Sequence, residues 1–222
     1  MDNDYDTWNA YGNEYWPHKY LIDIHGNMIY DKIGEGNDDQ VEAEIVKALN
    51  ARSKYLGQTD VIPMSTSTLP GYTVQTESPE TYFGAMRNEY FGNGIPFIAN
   101  SNTFTIPNNL SNNQFYLGGE WKIDKEYAEN IGTTTQLSYV FNSSKMYMIA
   151  ESADGSAVDV QILIDGKQIS SGLVGADVSG TGVLKINQSR LYSLYSSSKL
   201  GQHRIDIIFS KPGVRVYTFT FG

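Results

Sequence analysis

Cysteine is absent from all 222 residues. That excludes disulfides, thiolate nucleophiles, iron–sulfur clusters and Cys-ligated zinc within this chain. Charge is also scarce. Asp, Glu, Lys and Arg make up only 18% of the residues, and acids outnumber bases 25 to 16. With a net charge of -9 and no Lys/Arg stripe, the chain repels phosphate backbones and anionic lipid surfaces. No nucleic-acid partner and no membrane contact are therefore expected. No apolar run approaches the ~20 residues of a spanning helix. No basic start leads into an apolar stretch, so no secretory leader is expected. Neither a Gly-x-Ser-x-Gly nucleophile elbow nor a Gly-Lys-Ser/Thr phosphate loop occurs.

What is present is apolar and aromatic. Hydrophobic residues reach 40%, and there are 16 tyrosines. Gly, Ser, Thr and Asn crowd the second half, which suits a turn-rich β protein. The spacing predicts an α+β chain: a short α-β-β-α unit over 1–57, a linker over 58–77 and an all-β sandwich of the jelly-roll kind over 78–222.

In the first unit Asp4 is placed to cap a helix over Tyr5 to Tyr11, which Gly12 and Asn13 stop. An extended run from Tyr15 to Asp23, a turn at His25-Gly26-Asn27 and a strand from Met28 to Ile33 read as a hairpin. Asp38 and Asp39 suit a helix start. Val41, Ile45, Ala48, Leu49 and Arg52 then define one helical face. Thr, Ser, Pro and Gly dominate 58–77, with Val61, Ile62, Met64 and Leu69 as apolar anchors.

Beyond Ser78, an aromatic segment Thr81–Arg87 precedes a Gly-Asn-Ser-rich loop over 92–114. Strands are then predicted over Gln114–Leu117, Glu120–Ile123, Thr135–Phe141, Lys145–Glu151, Val158–Ile164, Gly182–Ile186, Leu191–Tyr195, His203–Phe209 and Val214–Phe221. Asp165-Gly166 is a tight-turn dipeptide. Many short strands without intervening helices fit a sandwich.

The segments Asp4–Gly12 and Tyr15–Asp23, with Gly26, Tyr30 and Gly34-Glu35-Gly36, resemble the C-terminal half of thioredoxin-like proteins of the TlpA-like and DipZ type. Ser78-Pro79-Glu80-Thr81-Tyr82-Phe83-Gly84, Gly119-Glu120-Trp121, Gly175-Ala176-Asp177-Val178 and the closing Gly213–Gly222 resemble the β domain appended to them. That β domain in turn is similar to carbohydrate-binding modules. The resemblance implies a cis Trp16–Pro17 bond, with Trp16 and Pro17 in a substrate-facing loop. It implies an extracytoplasmic home and a parent activity in thiol–disulfide exchange. The family's Cys-x-x-Cys half is missing here, so this chain is expected to be non-catalytic, a truncated form or one completed by another chain. The partner is expected to be a protein, either a redox partner or the missing thioredoxin half, or a glycan. A sheet without its first strands exposes an edge, which predicts a homodimer or heavy docking.

Other residues carry weaker signals. Tyr116, Trp121, Tyr127, Tyr192 and Tyr195 are candidates for stacking on sugar rings, against the alternative of core packing. Alternation puts Phe115 inside and Tyr116 outside. His18, His25 and His203 read as surface or turn residues. Asp2-x-Asp4-x-Asp6 echoes a calcium loop, but the glycine and distal glutamate are out of register, so capping is preferred; Glu14 joins that acidic group. Asp154 or Asp159 could hold calcium on the sandwich. Glu120 beside Trp121 is the one carboxylate placed for a glycosidase, a third reading. No cofactor and no metal are expected. The second reading is a carbohydrate-binding module with a vestigial α/β cap.

Overall fold

The computed structural model describes residues 5–34, 36–59, 61–63 and 76–222. Asp2, Asp4, Glu35, Met64 and Leu69 lie outside the described residues. The chain divides into two compact units, 1–72 and 73–222.

The first unit contains α1 (Asp6–Ala10), β1 (His18–Ile22), β2 (Met28–Ile33) and α2 (Asp38–Tyr55). β1 and β2 form a two-stranded antiparallel sheet, with Tyr20 opposite Asp31 and Leu21 opposite Tyr30. Asp23 closes the turn: its carboxylate accepts the backbone N–H groups of His25 and Asn27 at 2.9 and 2.8 Å. α2 contains neither Gly nor Pro. Asp38 and Asp39 sit in its first turn, Arg52 and Lys54 in its last, each complementing the helix dipole. Gly57, at φ 67°, stops it. The buried residues of α2 are Val46 and Ser53, one face around from the stripe expected from sequence. Ile45 and Leu49 remain 40% and 36% exposed. Capping differs as well: Tyr5 and Asn37 precede the two helices in left-handed geometry with no side-chain cap.

The second unit is a β sandwich around one apolar core. Its strands are β3 (Thr81–Tyr82), β4 (Asn100–Phe104), β5 (Phe115–Ile123), β6 (Ala128–Asn130), β7 (Thr135–Ser152), β8 (Val158–Ile164), β9 (Lys167–Gln168), β10 (Val183–Ile186), β11 (Arg190–Phe209) and β12 (Val214–Phe221). The ladder runs β10-β8-β11-β7-β12-β6-β5-β4, with β5 also paired to β7. β7 and β11 pair along almost their whole lengths. β7 gives its other edge first to β5 and then to β12.

Strand alternation sets the two faces. The row Phe115–Tyr139–Ile205–Ile164 and the row Leu117–Leu137–Ile207–Ile162 point inward, all within 6% exposure. The intervening row Tyr116–Ser138–Asp206–Leu163 points to the other face. Each fully buried Leu, Ile or Phe contributes roughly 1.5–3 kcal/mol. Aromatic edges lock the packing: Phe83 meets Phe115 and Phe219 with centroids 4.8 and 4.9 Å apart.

Candidate functional site

Two regions concentrate chemistry. The first surrounds Pro17. The Trp16–Pro17 bond is cis. Trp16 is 89% exposed, and the Pro17 carbonyl accepts the Gly34 N–H at 2.8 Å. Beyond Pro17, β1 carries His18 and Tyr20 two residues apart, hence on one face. The His18 Nδ1 lies 2.7 Å from Asn13 Oδ1, and its Nε2 lies 3.0 Å from Asp31 Oδ2. The Tyr20 hydroxyl donates to Asn13 Oδ1 at 2.9 Å and is 2.6 Å from His18 Nδ1. Loss of water, then the Asp31 carboxylate, then Tyr11, push the Tyr20 phenol above its ordinary range.

A cavity of about 390 Å³ opens beside this chain of groups, lined by Thr7, Trp8, Tyr11, Asn13, Tyr20 and Ile22. The arrangement is a carboxylate, an imidazole and a phenol in hydrogen-bond sequence. It can hold or pass a proton. It contains no sulfur to attack a disulfide.

His18 corrects its sequence reading: its side chain is only 11% exposed, because α1 and the following turn fold over β1. His25 fits a turn and meets the Tyr55 ring edge-on at 4.8 Å. His203 pairs with Asp165 at 2.8 Å. Among the described residues no three His, Asp or Glu side chains converge as for a metal. Asp154 instead accepts from Ser152 and Ser156, and Asp159 pairs with Lys185 at 3.0 Å. Asp38 pairs with Lys19 at 3.0 Å.

The second region is the sandwich. Four of the five aromatics read as sugar platforms are core residues. Trp121 and Tyr192 are fully buried, and Tyr195 and Tyr116 are 1% and 3% exposed. A side chain with no accessible face cannot stack on a sugar. The causes differ. Trp121 points inward with Ile123, its Nε1 donating to the Gly118 carbonyl at 2.9 Å. A register shift between Ser193 and Tyr195 turns both Tyr192 and Tyr195 into the core. Tyr116 does lie on the face opposite Phe115, but the preceding loop covers it. Its hydroxyl accepts the Ser111 N–H and donates to Gln114, at 2.9 and 3.0 Å. Tyr127 alone stays half-buried, edge-on to Tyr217 and beneath the Arg215 guanidinium. Glu120 is exposed on β5, and no hydrogen bond or ion pair among the described residues brings a second carboxylate to it.

Sequence reading missed Asn13, Tyr20 and Asp31 as partners of His18. The spacing 18/20, with an aspartate across the hairpin, was the available signal.

The sequence model of the family described as "Thioredoxin like C-terminal domain" matches residues 78–222. The chain belongs to that family. Protein DipZ of Mycobacterium bovis and of Mycobacterium tuberculosis are each 28% identical to it over 223 aligned positions, covering 100% of this chain and 29% of theirs. The chain thus spans under a third of the length of these relatives. A family two carbohydrate esterase from Cellvibrio japonicus aligns in structure over 48% of this chain and 30% of its own, at TM-score 0.39 and 16% identity, too distant to bear on function. No helix among the described residues is long and apolar enough to cross a membrane.

Proposed function

We propose that this chain is the non-catalytic C-terminal portion of an extracytoplasmic thiol–disulfide oxidoreductase of the DipZ type. Its first unit is the second half of a thioredoxin-like domain, and its sandwich is a binding module. One observation carries the reading. The hairpin has no fully buried residue, and Ile22, Met28, Ile29 and Ile33 are all between 44% and 51% exposed. A two-stranded hairpin by itself is marginally stable, and apolar side chains left half-exposed on both of its faces offer surface for an interface. Among the described residues neither outer edge of the β1–β2 sheet is paired, so each can accept another strand. A segment carrying the Cys-x-x-Cys pair, from elsewhere in a longer chain or from a second chain, supplies that strand. It also supplies the thiolate that thiol exchange requires. The cis peptide at Pro17 and the exposed Trp16 beside it are the loop that faces this segment. In its absence, the same edge pairs with a second copy.

The test is direct. The purified chain is assayed for insulin reduction with dithiothreitol, alone and with a polypeptide corresponding to the Cys-x-x-Cys half of a DipZ relative. The chain alone adds nothing to the dithiothreitol rate. The mixture forms a one-to-one complex by native mass spectrometry and reduces insulin faster than either part. Turnover by the chain alone, or no complex at micromolar concentration, overturns the proposal.

A further inference from the structure

The two ends of the sandwich ladder differ. At one end, β10 is closed by its own chain. The Val183 carbonyl accepts the Ser179 N–H at 2.9 Å, the Val183 N–H donates to Ser179 Oγ at 3.0 Å, and Val178 bridges to Leu184. At the other end, β4 pairs only with β5 among the described residues, and Asn100, Ser101, Asn102 and Thr103 are exposed. The direction of its free backbone groups follows from β5. The Glu120 carbonyl accepts the Ile131 and Gly132 N–H groups, just past β6, at 3.0 and 3.2 Å. Successive residues of a strand turn their backbone groups to opposite sides, so Trp121 turns its N–H and C=O toward β4. Asn102 stands opposite Trp121 and therefore faces β5. Ser101 and Thr103 face outward. The Thr103 N–H is held locally, by Asn102 Oδ1 at 2.8 Å.

This edge lacks the devices that keep sheet edges apart: β4 contains no charged residue, no Pro and no bulge. Charge is missing from the whole stretch around it. From Tyr90 to Gly119 no Asp, Glu, Lys or Arg occurs, in a chain whose acids outnumber its bases 25 to 16. Two copies of an acidic chain repel in general, and this stretch adds nothing to that repulsion. A charged partner would find no counter-charge here. The strand is also self-complementary. With a two-fold axis at Asn102, antiparallel pairing sets Ser101 opposite the second copy's Thr103, and Thr103 opposite its Ser101. These are the outward residues, and the two pairs exchange four N–H···O=C bonds. The Thr103 N–H leaves the Asn102 amide for a carbonyl. The two Asn102 amides, each with a donor and an acceptor, then meet across the axis. Ile98, 44% exposed, and Ile106 lie four residues to either side of Asn102, so each comes beside the other from the second copy. Glu120 sits beside Thr103 and Lys122 beside Ser101. The row that starts at one copy's Glu120 therefore ends on the other copy's Lys122.

We propose that the β4 edge is an interface between two copies of this chain, joined as an antiparallel β4–β4 ladder about a two-fold axis at Asn102. The contact is independent of the thiol-exchange reading and uses neither edge of the β1–β2 hairpin. One pair of short strands is a small contact, so the dimer forms at high protein concentration.

A chain without cysteine suits a cross-linking test. Single cysteines are introduced into the full chain, which is oxidised with diamide at a few hundred micromolar protein and run on non-reducing gels. Asn102→Cys sets two thiols across the axis at the closer, non-hydrogen-bonded spacing, which a disulfide can span. It is expected to cross-link about tenfold faster than Ser189→Cys, an exposed control in the turn between β10 and β11. Sedimentation of the cysteine-free chain is the second readout. Asn102→Asp keeps an acceptor for the Thr103 N–H, so the fold stands, but it sets two carboxylates opposite each other. That variant is expected to weaken dimerisation about fivefold. Equal cross-linking rates at 102 and 189, or sedimentation unchanged by Asn102→Asp, overturn the interface. Faster cross-linking of Asn100→Cys or Thr103→Cys than of Asn102→Cys overturns the axis at Asn102. An edge that stays monomeric but takes up an unrelated extended peptide, seen as amide shifts at Ser101 and Thr103, overturns the second copy as its occupant. Asn102→Cys in an Ile29→Ser, Ile45→Ser background is expected to cross-link at the rate of Asn102→Cys alone; loss of cross-linking there assigns the association to the first unit and overturns the β4 contact. Failure of this contact while the complemented chain still reduces insulin leaves the thiol-exchange reading standing.

Discussion

The hydroxyls of Tyr139 and Thr81 lie 2.9 Å apart inside the sandwich, joining β7 to the short strand β3. The Thr81 hydroxyl also donates to the Pro79 carbonyl at 3.1 Å. Tyr139 is fully buried, and burial pushes its phenol up to about 12 from an ordinary 10, against the smaller opposing effect of Thr81. A raised folded value means the native state holds its proton where the unfolded chain has lost it. Stability from this group is therefore complete below pH 10 and falls between about pH 10 and 12. The expected loss is on the order of 2 kcal/mol. Tyr139→Phe removes the ionisable group, so its urea midpoint should decline less steeply over that window. An identical decline in both proteins would assign the alkaline transition elsewhere.

Asn130 is a buried polar staple. Its Oδ1 accepts the Val214 N–H at 2.7 Å, and its Nδ2 donates to the Lys211 carbonyl at 2.7 Å and to Thr135 Oγ1 at 3.1 Å. Three chain segments depend on one amide. Asn130→Ala strands a buried N–H and leaves a small void, for a loss of about 2–4 kcal/mol by chemical denaturation. Asn130→Asp keeps the acceptor but loses the donors, and should also destabilise. A change under about 0.5 kcal/mol for the alanine variant would mean that water replaces the amide.

Much of the sandwich was legible from alternation. β8 and β12 have the bounds read from sequence, because each alternates and ends at a turn signal. β7 and β11 were each read as two strands, since Asn142-Ser143-Ser144 and Ser196-Ser197-Ser198 look like loops. Both stretches lie inside one continuous pairing: Ser196 pairs with Lys145, Ser143 with Gly201 and Asn142 with Gln202, around an irregularity between Ser196 and Gly201. Polar ladder partners satisfy one another's backbone without an apolar pattern. β4 was missed because its Asn-Ser-Asn-Thr run is exposed and pairs only with β5. The aromatic site failed for a different reason. Period two says which face Tyr116 takes but not that a loop covers that face. It also breaks at a bulge, as at Tyr195. A groove of about 300 Å³ beside the end of β4 was invisible in the sequence because three of its lining residues, Gly118, Gln136 and Ile208, come together only across the ladder.

Two glycines of the motifs that carry the family resemblance have a packing reason. A Cβ on Gly84 would collide with the backbone of Glu126 and Lys125, and one on Gly175 with the backbone of Ser193 and Leu194. Those atoms belong to strands and turns that cannot move aside. The Gly175 N–H also donates to the Leu194 carbonyl at 3.0 Å, which fixes the approach. Gly84→Ala and Gly175→Ala should each cost more than about 2 kcal/mol. Gly172→Ala, where a Cβ meets nothing within 4 Å, is the control and should fall within about 0.5 kcal/mol of the parent. Parent-like melting of Gly84→Ala would mean that the approach of 84 to 126 is looser than the packing requires.

The exposed isoleucines give the last prediction. Ile29 and Ile33 stand on the same side of β2 as Asp31, and α2 leaves Ile45 and Leu49 one turn apart in solvent. If these side chains only decorated a finished domain, Ile29→Ser and Ile45→Ser would change little, because each is already more than a third exposed. If they await a covering segment, the stability of the isolated chain would again change by only about 0.5 kcal/mol. Association with the Cys-x-x-Cys half would instead weaken, by about tenfold or more for each apolar side chain removed from the interface. The two ideas therefore separate on binding and not on melting. Ile169→Ser, a core change in the sandwich, should do the reverse, lowering stability without altering that association. Self-association, followed by light scattering, should fall in the first pair of variants and persist in the third. Retained complex formation in the Ile29→Ser, Ile45→Ser double variant would remove the hairpin and helix faces from the interface.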